Sequence, residues 1–72
     1  HARPAARLAK AARRYYSDIR CITETGAADA KSMLDLLSLA PPSHSQLLLL
    51  ANGEDARAAL LDLGGVLADL QD

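Results

Sequence analysis

The chain has 72 residues, enough for one small domain, and half of them are hydrophobic, with 15 alanines and 14 leucines but no Phe or Trp. A single cysteine excludes an internal disulfide framework, and no apolar run approaches the ~20 residues that a membrane-spanning helix needs. The net charge of −1 is unevenly distributed, since residues 1–31 are mainly basic and residues 32–72 mainly acidic. We expect one small cytoplasmic domain over residues 1–72. Because the chain starts with His1 rather than Met, we also expect it to be an N-terminally truncated piece of a longer chain.

The first predicted element is a helix over residues 2–16, with Pro4 tolerated in its first turn. Its apolar stripe follows helical spacing: Ala5, Leu8, Ala9, Ala12 and Tyr16. A second stripe of the same helix is basic: Arg3, Arg7, Lys10 and Arg14. The basic stripe is compatible with a solvated face or with steering of acidic protein partners. Nucleic acid is the weakest alternative, because the overall charge is slightly negative and no aromatic side chains are interleaved.

A strand pair is predicted next. Residues 18–23 alternate, with Ile19 and Cys21 on one side, and we expect Cys21 to be buried. Glu24, Thr25 and Gly26 are predicted to form a turn in which Gly26 is free to adopt positive φ, and residues 27–30 to form a short return strand.

A short helix is predicted from Ser32 to Leu39, ended by the two prolines that follow. Ser32 and Asp35 have the spacing of a capping box, with Asp in place of Glu or Gln, so capping explains the serine about as well as a regulatory role does. We expect Leu36 and Leu39 in the core.

The last strand is predicted over residues 46–51 and precedes an Asn52–Gly53 turn. If its odd-numbered leucines face the helices, Leu48 and Leu50 lie with Ile22 on an open sheet face, which predicts a partner surface. A neighbouring domain or a second copy of the chain would then cover that surface.

The final helix is predicted over residues 54–70, with Glu54 and Asp55 at its positive end. Its expected buried stripe is Ala56, Ala59, Leu60, Leu63, Leu67 and Leu70. Gly64 and Gly65 weigh against this helix, since each costs ~1 kcal/mol relative to alanine. The element order, helix–strand–strand–helix–strand–helix, favours an α+β open-faced sandwich.

His1 is the first chemical candidate, because it directly precedes a helix whose unpaired amides and dipole favour an anion. Histidine is a nucleophile near neutral pH, and Arg3 offers two-pronged donors to a phosphate. Spacing alone also allows His1 to be a terminal residue without a role. His44, between two serines, is expected in solvent, and without clustered Cys or His the sequence predicts no metal site.

Three segments in register resemble the HPr family, the histidine-containing phosphocarriers of the bacterial phosphoenolpyruvate-dependent sugar phosphotransferase system. They are residues 1–6 (HARPAA), residues 30–34 (AKSML) and residues 52–55 (NGED). The family fold is a four-stranded antiparallel sheet covered on one face by three helices. Its first strand precedes the histidine and is missing from this chain.

The resemblance implies that His1 accepts a phosphoryl group from enzyme I and passes it to an enzyme IIA domain, with Arg3 contacting the group. It makes Ser32 the match for a serine that a kinase phosphorylates in some bacteria. It also implies that Arg7, Lys10, Met33 and Leu34 contact partners. The chain would then be a covalent carrier that does not catalyse turnover by itself. It would need no cofactor and would not insert into a membrane. The alternative is a regulatory interaction domain, in a nitrogen-linked branch or under serine phosphorylation, that does not relay phosphate.

Overall fold

The computed structural model describes residues 2–39 and 47–71. In these residues the element order is α1 (Ala2–Ala12), β1 (Asp18–Thr23), β2 (Gly26–Asp29), α2 (Met33–Leu39), β3 (Leu48–Asn52) and α3 (Ala56–Gln71). The described strands form an antiparallel sheet in the order β2–β1–β3. The α+β class and the order of the elements are therefore as predicted.

The core lies between one face of the sheet and the helices. In β1 the side chains of Ile19 and Cys21 are buried, and neighbouring Arg20 is exposed, which confirms the predicted alternation. The helices α1, α2 and α3 pack over the same side. Small side chains allow this close approach, since the buried hydrophobic residues are Leu8, Ala9, Ala11, Ala12, Ile19, Cys21, Ala28, Ala30, Leu36, Ala59 and Leu63.

The first helix is shorter than predicted. It ends at Ala12, and the chain tightens into a turn in which the Tyr15 amide donates to the Ala12 carbonyl at 3.2 Å. The prediction that Tyr16 belongs to the buried stripe is wrong, because this residue is 98% exposed. Tyr15 packs partly buried against the core instead.

The strands are shifted slightly from their predicted bounds. β2 begins at Gly26, whose φ of +154° confirms the expected turn. Ala30 was assigned to this strand and follows it, although its amide still donates to the Ile19 carbonyl at 2.9 Å. β3 extends to Asn52, and residue 46 lies outside the described residues.

Helix α3 continues through both glycines, so they do not interrupt it. Ala59 and Leu63 are fully buried as predicted. Leu60 is wrong as a core residue, because the buried side runs from Ala59 and Leu63 to Val66 and leaves Leu60 on the flank.

Two leucines of β3 point away from the helices, as expected. Leu48 is 59% and Leu50 54% exposed, whereas Leu49 between them is half-buried. Leu48 pairs with Ile22 of β1, so the three apolar side chains form a patch on the open face of the sheet.

Candidate functional site

The N-terminal end of α1 carries the residues predicted to handle a phosphoryl group. His1 lies outside the described residues, and α1 begins at the next position. Arg3 lies in the first turn, is exposed, and has no acidic side chain beside it in that turn. The positive end of the helix dipole and the guanidinium therefore act in the same place, an arrangement that stabilises an anion.

The basic stripe is exposed along its whole length, although Arg14, which the sequence placed on the first helix, follows the end of α1 at Ala12. Arg7, Lys10 and Arg14 are all open to solvent, and within the described residues none of them forms an ion pair. Arg13 differs from them, because its guanidinium Nη1 donates to the Lys31 carbonyl at 3.0 Å. The uncompensated cations of α1 give this face a positive potential that attracts acidic surfaces.

Apolar side chains on α2 adjoin this basic face. Leu34 is 76% and Met33 36% exposed, whereas Leu36 on the other side of the helix is buried and Leu39 is half-buried. Because α1 and α2 pack against each other, their exposed sides are neighbouring areas of the protein surface. We call it the docking surface because it is a candidate for partner binding, and we define it by these members: Arg3, Arg7, Lys10, Met33 and Leu34.

Ser32 caps α2, which confirms the prediction from its spacing to Asp35. The Asp35 amide donates to the Ser32 hydroxyl oxygen at 3.2 Å. The reciprocal half of a capping box is absent, because the Asp35 carboxylate accepts the Asp29 amide at 3.3 Å instead.

Asp55 joins the start of α3 to the turn after α1, a role that sequence reasoning did not identify. Its carboxylate accepts the amides of Tyr16 at 2.8 Å and Ser17 at 2.9 Å, and the Ser17 hydroxyl at 2.5 Å. The Ser17 hydroxyl bond, followed by the Tyr16 amide bond, lowers the pKa of Asp55. The sequence signal was limited to an acid at a helix start, which predicts dipole stabilisation and not a contact 38 residues away.

Gly53 permits this junction. Its φ is +151°, and a Cβ built on it would lie 2.8 Å from the Ser17 Cα, closer than a side chain allows. The Asn52–Gly53 pair therefore does more than turn the chain, because glycine lets the β3–α3 turn approach the α1–β1 turn.

Tyr15 and Lys31 fix the end of α1 from two further sides. The Tyr15 hydroxyl donates to the Asp62 carboxylate at 2.6 Å, and this bond is the main cause that raises the Tyr15 pKa. The Lys31 ammonium donates to the Tyr15 carbonyl at 2.6 Å. These contacts hold α1 against α2 and α3, and hence hold the docking surface together.

Cys21 is buried as predicted, and burial raises the pKa of its thiol, which makes it a packing residue. His44 lies outside the described residues. Among the residues that the structure describes, no three His, Cys, Asp or Glu side chains lie together as metal ligands. No helix in the described ranges is both long and apolar enough to cross a membrane.

These features define a small α+β protein whose first two helices share an exposed basic and apolar surface. Comparison with known proteins is consistent with that class. A family model described as the PTS HPr component phosphorylation site matches residues 1–69. Phosphocarrier protein HPr of Buchnera aphidicola subsp. Baizongia pistaciae is 37% identical over 71 residues, which cover 99% of this chain and 84% of the relative.

Two further matches place the domain in context. The multiphosphoryl transfer protein of Vibrio cholerae is 39% identical over 67 residues, covering 89% of this chain but 17% of the relative. The solved structure of a mycoplasma histidine-containing phosphocarrier protein matches with a TM-score of 0.94 at 30% identity, covering 97% of this chain and 80% of that one. The chain belongs to the HPr family, and its relatives support a phosphocarrier function in the phosphotransferase system.

Proposed function

We propose that His1 is the phosphoryl acceptor of this phosphocarrier. The observation that carries the proposal is the match to the family model, which covers residues 1–69 and thus includes His1. The neutral imidazole Nδ1 attacks the phosphorus of a phosphohistidine on enzyme I. A P–N bond forms at His1 as the P–N bond to the donor breaks, and the donor nitrogen keeps the electron pair. In a second transfer of the same kind, phosphorylated His1 is the donor and an enzyme IIA domain accepts the group.

Arg3 and the first amides of α1 are proposed to stabilise the transferred group. Arg3 is exposed and has no neighbouring acid in its turn, so its guanidinium is available to phosphate oxygens. Positioning and charge stabilisation supply most of the acceleration in phosphoryl transfer, and the partner contributes the rest of the site. No cofactor of the carrier takes part, since phosphoenolpyruvate supplies the group through enzyme I.

The docking surface is proposed to bind enzyme I and the enzyme IIA domains in the cytoplasm, where the phosphotransferase system operates. Arg7 and Lys10 would meet acidic side chains, and Met33 and Leu34 would fill apolar depressions. The exposure of all four side chains supports this role. Methionine suits a surface that fits several partners in turn.

Ser32 is proposed first as the cap of α2, on the strength of its bond to the Asp35 amide. Phosphorylation of Ser32 by a serine kinase is a second proposal that comes from the family resemblance. Asp35 opposes it, because its carboxylate in the same turn would repel a phosphate.

The test uses the full-length natural protein with enzyme I and phosphoenolpyruvate, followed by intact mass under alkaline conditions, where phosphohistidine survives. The chain has two histidines, which provide a matched pair of variants. We expect one phosphoryl adduct in the wild type and in His44→Ala, and none in His1→Ala. An adduct that persists in His1→Ala would refute the assignment. Absence of any adduct in the wild type would favour the regulatory, non-relaying domain.

We further propose that the domain is part of a longer chain in which a neighbouring domain covers the open-face patch of Ile22, Leu48 and Leu50. The exposure of the two leucines supports this, and the Vibrio cholerae relative shows that an HPr-like segment occurs within a much longer protein. Sedimentation of the full-length protein tests it. A compact species whose Leu48→Asp variant separates into loosely coupled domains would support the proposal. A monomer without a second domain would refute it, and a reversible dimer would assign the patch to a second copy.

A further inference from the structure

We propose that the outer side of α3 binds a second copy of this chain, with the two α3 helices packed antiparallel about a two-fold axis. The outer side of α3 lies opposite the core, and its exposed members are Ala58, Leu61, Gly64, Gly65 and Ala68. None of these residues belongs to the docking surface, so the inference does not depend on the proposed phosphoryl relay.

The outer side of α3 is apolar where the surface helix of a lone domain is normally polar. Leu61 is 75% exposed, and neighbouring Leu60 is exposed as well. The opposite side of the helix already supplies the core with Ala59 and Leu63, both fully buried. A helix that is apolar on two sides is normally covered on both, and an exposed apolar helix side therefore indicates a contact with another protein surface.

Nothing in the described part of the chain covers the two glycines of this side. A Cβ built on Gly64 or Gly65 meets no atom within 4 Å. The contacts of α3 with α1 and β3 are made by its other side. The glycines leave a gap in the side-chain surface of the helix, one turn away from the projecting side chain of Leu61.

A second copy of the chain fits this surface when the helices run antiparallel. With the two-fold axis at the level of position 63, Leu61 of each copy lies at the level of Gly65 of the other, and Ala58 at the level of Ala68. The leucine of one copy then fills the gap at the glycine of the other, and symmetry makes this contact twice. A parallel pair would bring the two Leu61 side chains to the same level and leave both gaps empty.

The charges at the edge of the outer side favour the same arrangement. Arg57 lies in the first turn of α3 and Asp69 in the last, both are exposed, and neither forms an ion pair among the described residues. Each charge opposes the dipole of its own helix, because a cation is unfavourable at the N-terminal end and an anion at the C-terminal end. In the antiparallel pair Arg57 of one copy lies at the level of Asp69 of the other, so each charge gains an opposite one. This charge complementarity identifies a second copy as the occupant.

The size of the interface predicts weak association. The 16 residues of α3 span about 24 Å. One such helix from each copy buries less than about 1,200 Å² in total, which is the range of transient complexes. We expect a reversible dimer that is populated at about 1 mM and dissociates below about 10 μM. Measurements of stability at micromolar concentration therefore report on the monomer.

The experiment is sedimentation equilibrium of the full-length natural protein between about 10 μM and about 1 mM. The weight-average mass should rise from that of one copy towards that of two. Leu61→Glu should raise the dissociation constant at least about tenfold, because it places a carboxylate at the centre of the contact. Leu48→Asp, the matched control on the open face of the sheet, should leave the dissociation constant unchanged.

Charge reversal tests the antiparallel arrangement. Arg57→Asp and Asp69→Arg should each raise the dissociation constant about threefold at low salt, since each turns two attractive pairs into repulsive ones. The double variant restores opposite charges at the same level and should return to the wild-type value. Circular dichroism of each variant verifies that folded proteins are compared.

A wild-type protein that remains monomeric up to about 1 mM would overturn the inference. So would a dimer that persists in Leu61→Glu or is lost in Leu48→Asp, because the interface would then lie elsewhere. Failure of the double charge reversal to restore the dimer would exclude the antiparallel pair and with it the proposal. Failure of the carrier to accept a phosphoryl group would refute the proposed function and leave this result unaffected.

Discussion

Replacement of Gly64 or Gly65 by alanine is expected to stabilise the protein. Both residues lie inside α3, and a Cβ built on either meets no atom within 4 Å. The substitution therefore introduces no clash and little new burial, which leaves helix propensity as the main effect. Glycine is about 0.8–1.0 kcal/mol less favourable than alanine in a helix interior. Each variant should gain about that amount, and the pair about twice it, because adjacent helix positions do not face each other.

The assay is urea unfolding followed by far-UV circular dichroism, with the slope of the free energy against urea unchanged between variants. A gain of about 1 kcal/mol corresponds to a rise of about 4–8 °C in Tm for a domain of this size. Loss of stability in either alanine variant would refute the reasoning. It would show that the outer side of α3 at these glycines is in contact with another part of the natural protein.

Three further outcomes follow from the junctions around the sheet. Gly53→Ala should destabilise the domain by about 2 kcal/mol or more in urea unfolding, because positive φ and the clash with Ser17 act together. Ser32→Ala should cost about 1 kcal/mol through loss of the α2 cap, whereas Ser38→Ala, a control in the last turn of the same helix, should cost less. The lowered Asp55 pKa adds stability above the ordinary pKa of 3.8 that is lost as pH falls through the folded value, so Asp55→Asn should flatten this acid-side loss.

Each of these outcomes can fail independently. A Gly53→Ala protein as stable as the wild type would mean that the two turns are farther apart than described. Equal losses of stability in Ser32→Ala and Ser38→Ala would mean that the Ser32 cap does not stabilise α2. An acid transition that is unchanged in Asp55→Asn would assign the pH dependence to other carboxylates.

Periodicity predicted most of the fold because local physics decides it. The alternation in residues 18–23 and the glycine turn at Gly26 follow from strand geometry and from backbone sterics, and both were confirmed. The predicted end of α1 was wrong, because the apolar residues continue at helical spacing to Tyr16 although the helix has already ended. Hydrogen bonds from Asp55 and Lys31, which are distant in sequence, hold the backbone at Tyr15 and Tyr16, and no local sequence pattern predicts these bonds.

The candidate site divides in the same way. Arg3 and the basic stripe were predicted as exposed because charged side chains at one helical spacing share a face. The cap formed by Ser32 was predicted from its spacing to Asp35 and is present. The anchoring role of Asp55 was missed, because its partners are remote in sequence.

The order of residues by itself determined the class of fold, the buried alternation of β1 and the basic side of the first helix, since each depends on neighbours within a few positions. The tertiary structure decided where α1 ends, why position 53 requires glycine, and that Asp55 joins the start of α3 to the turn after α1. Those properties depend on contacts between segments that are far apart in sequence and meet only in the folded protein. A short stretch of sequence therefore cannot predict them.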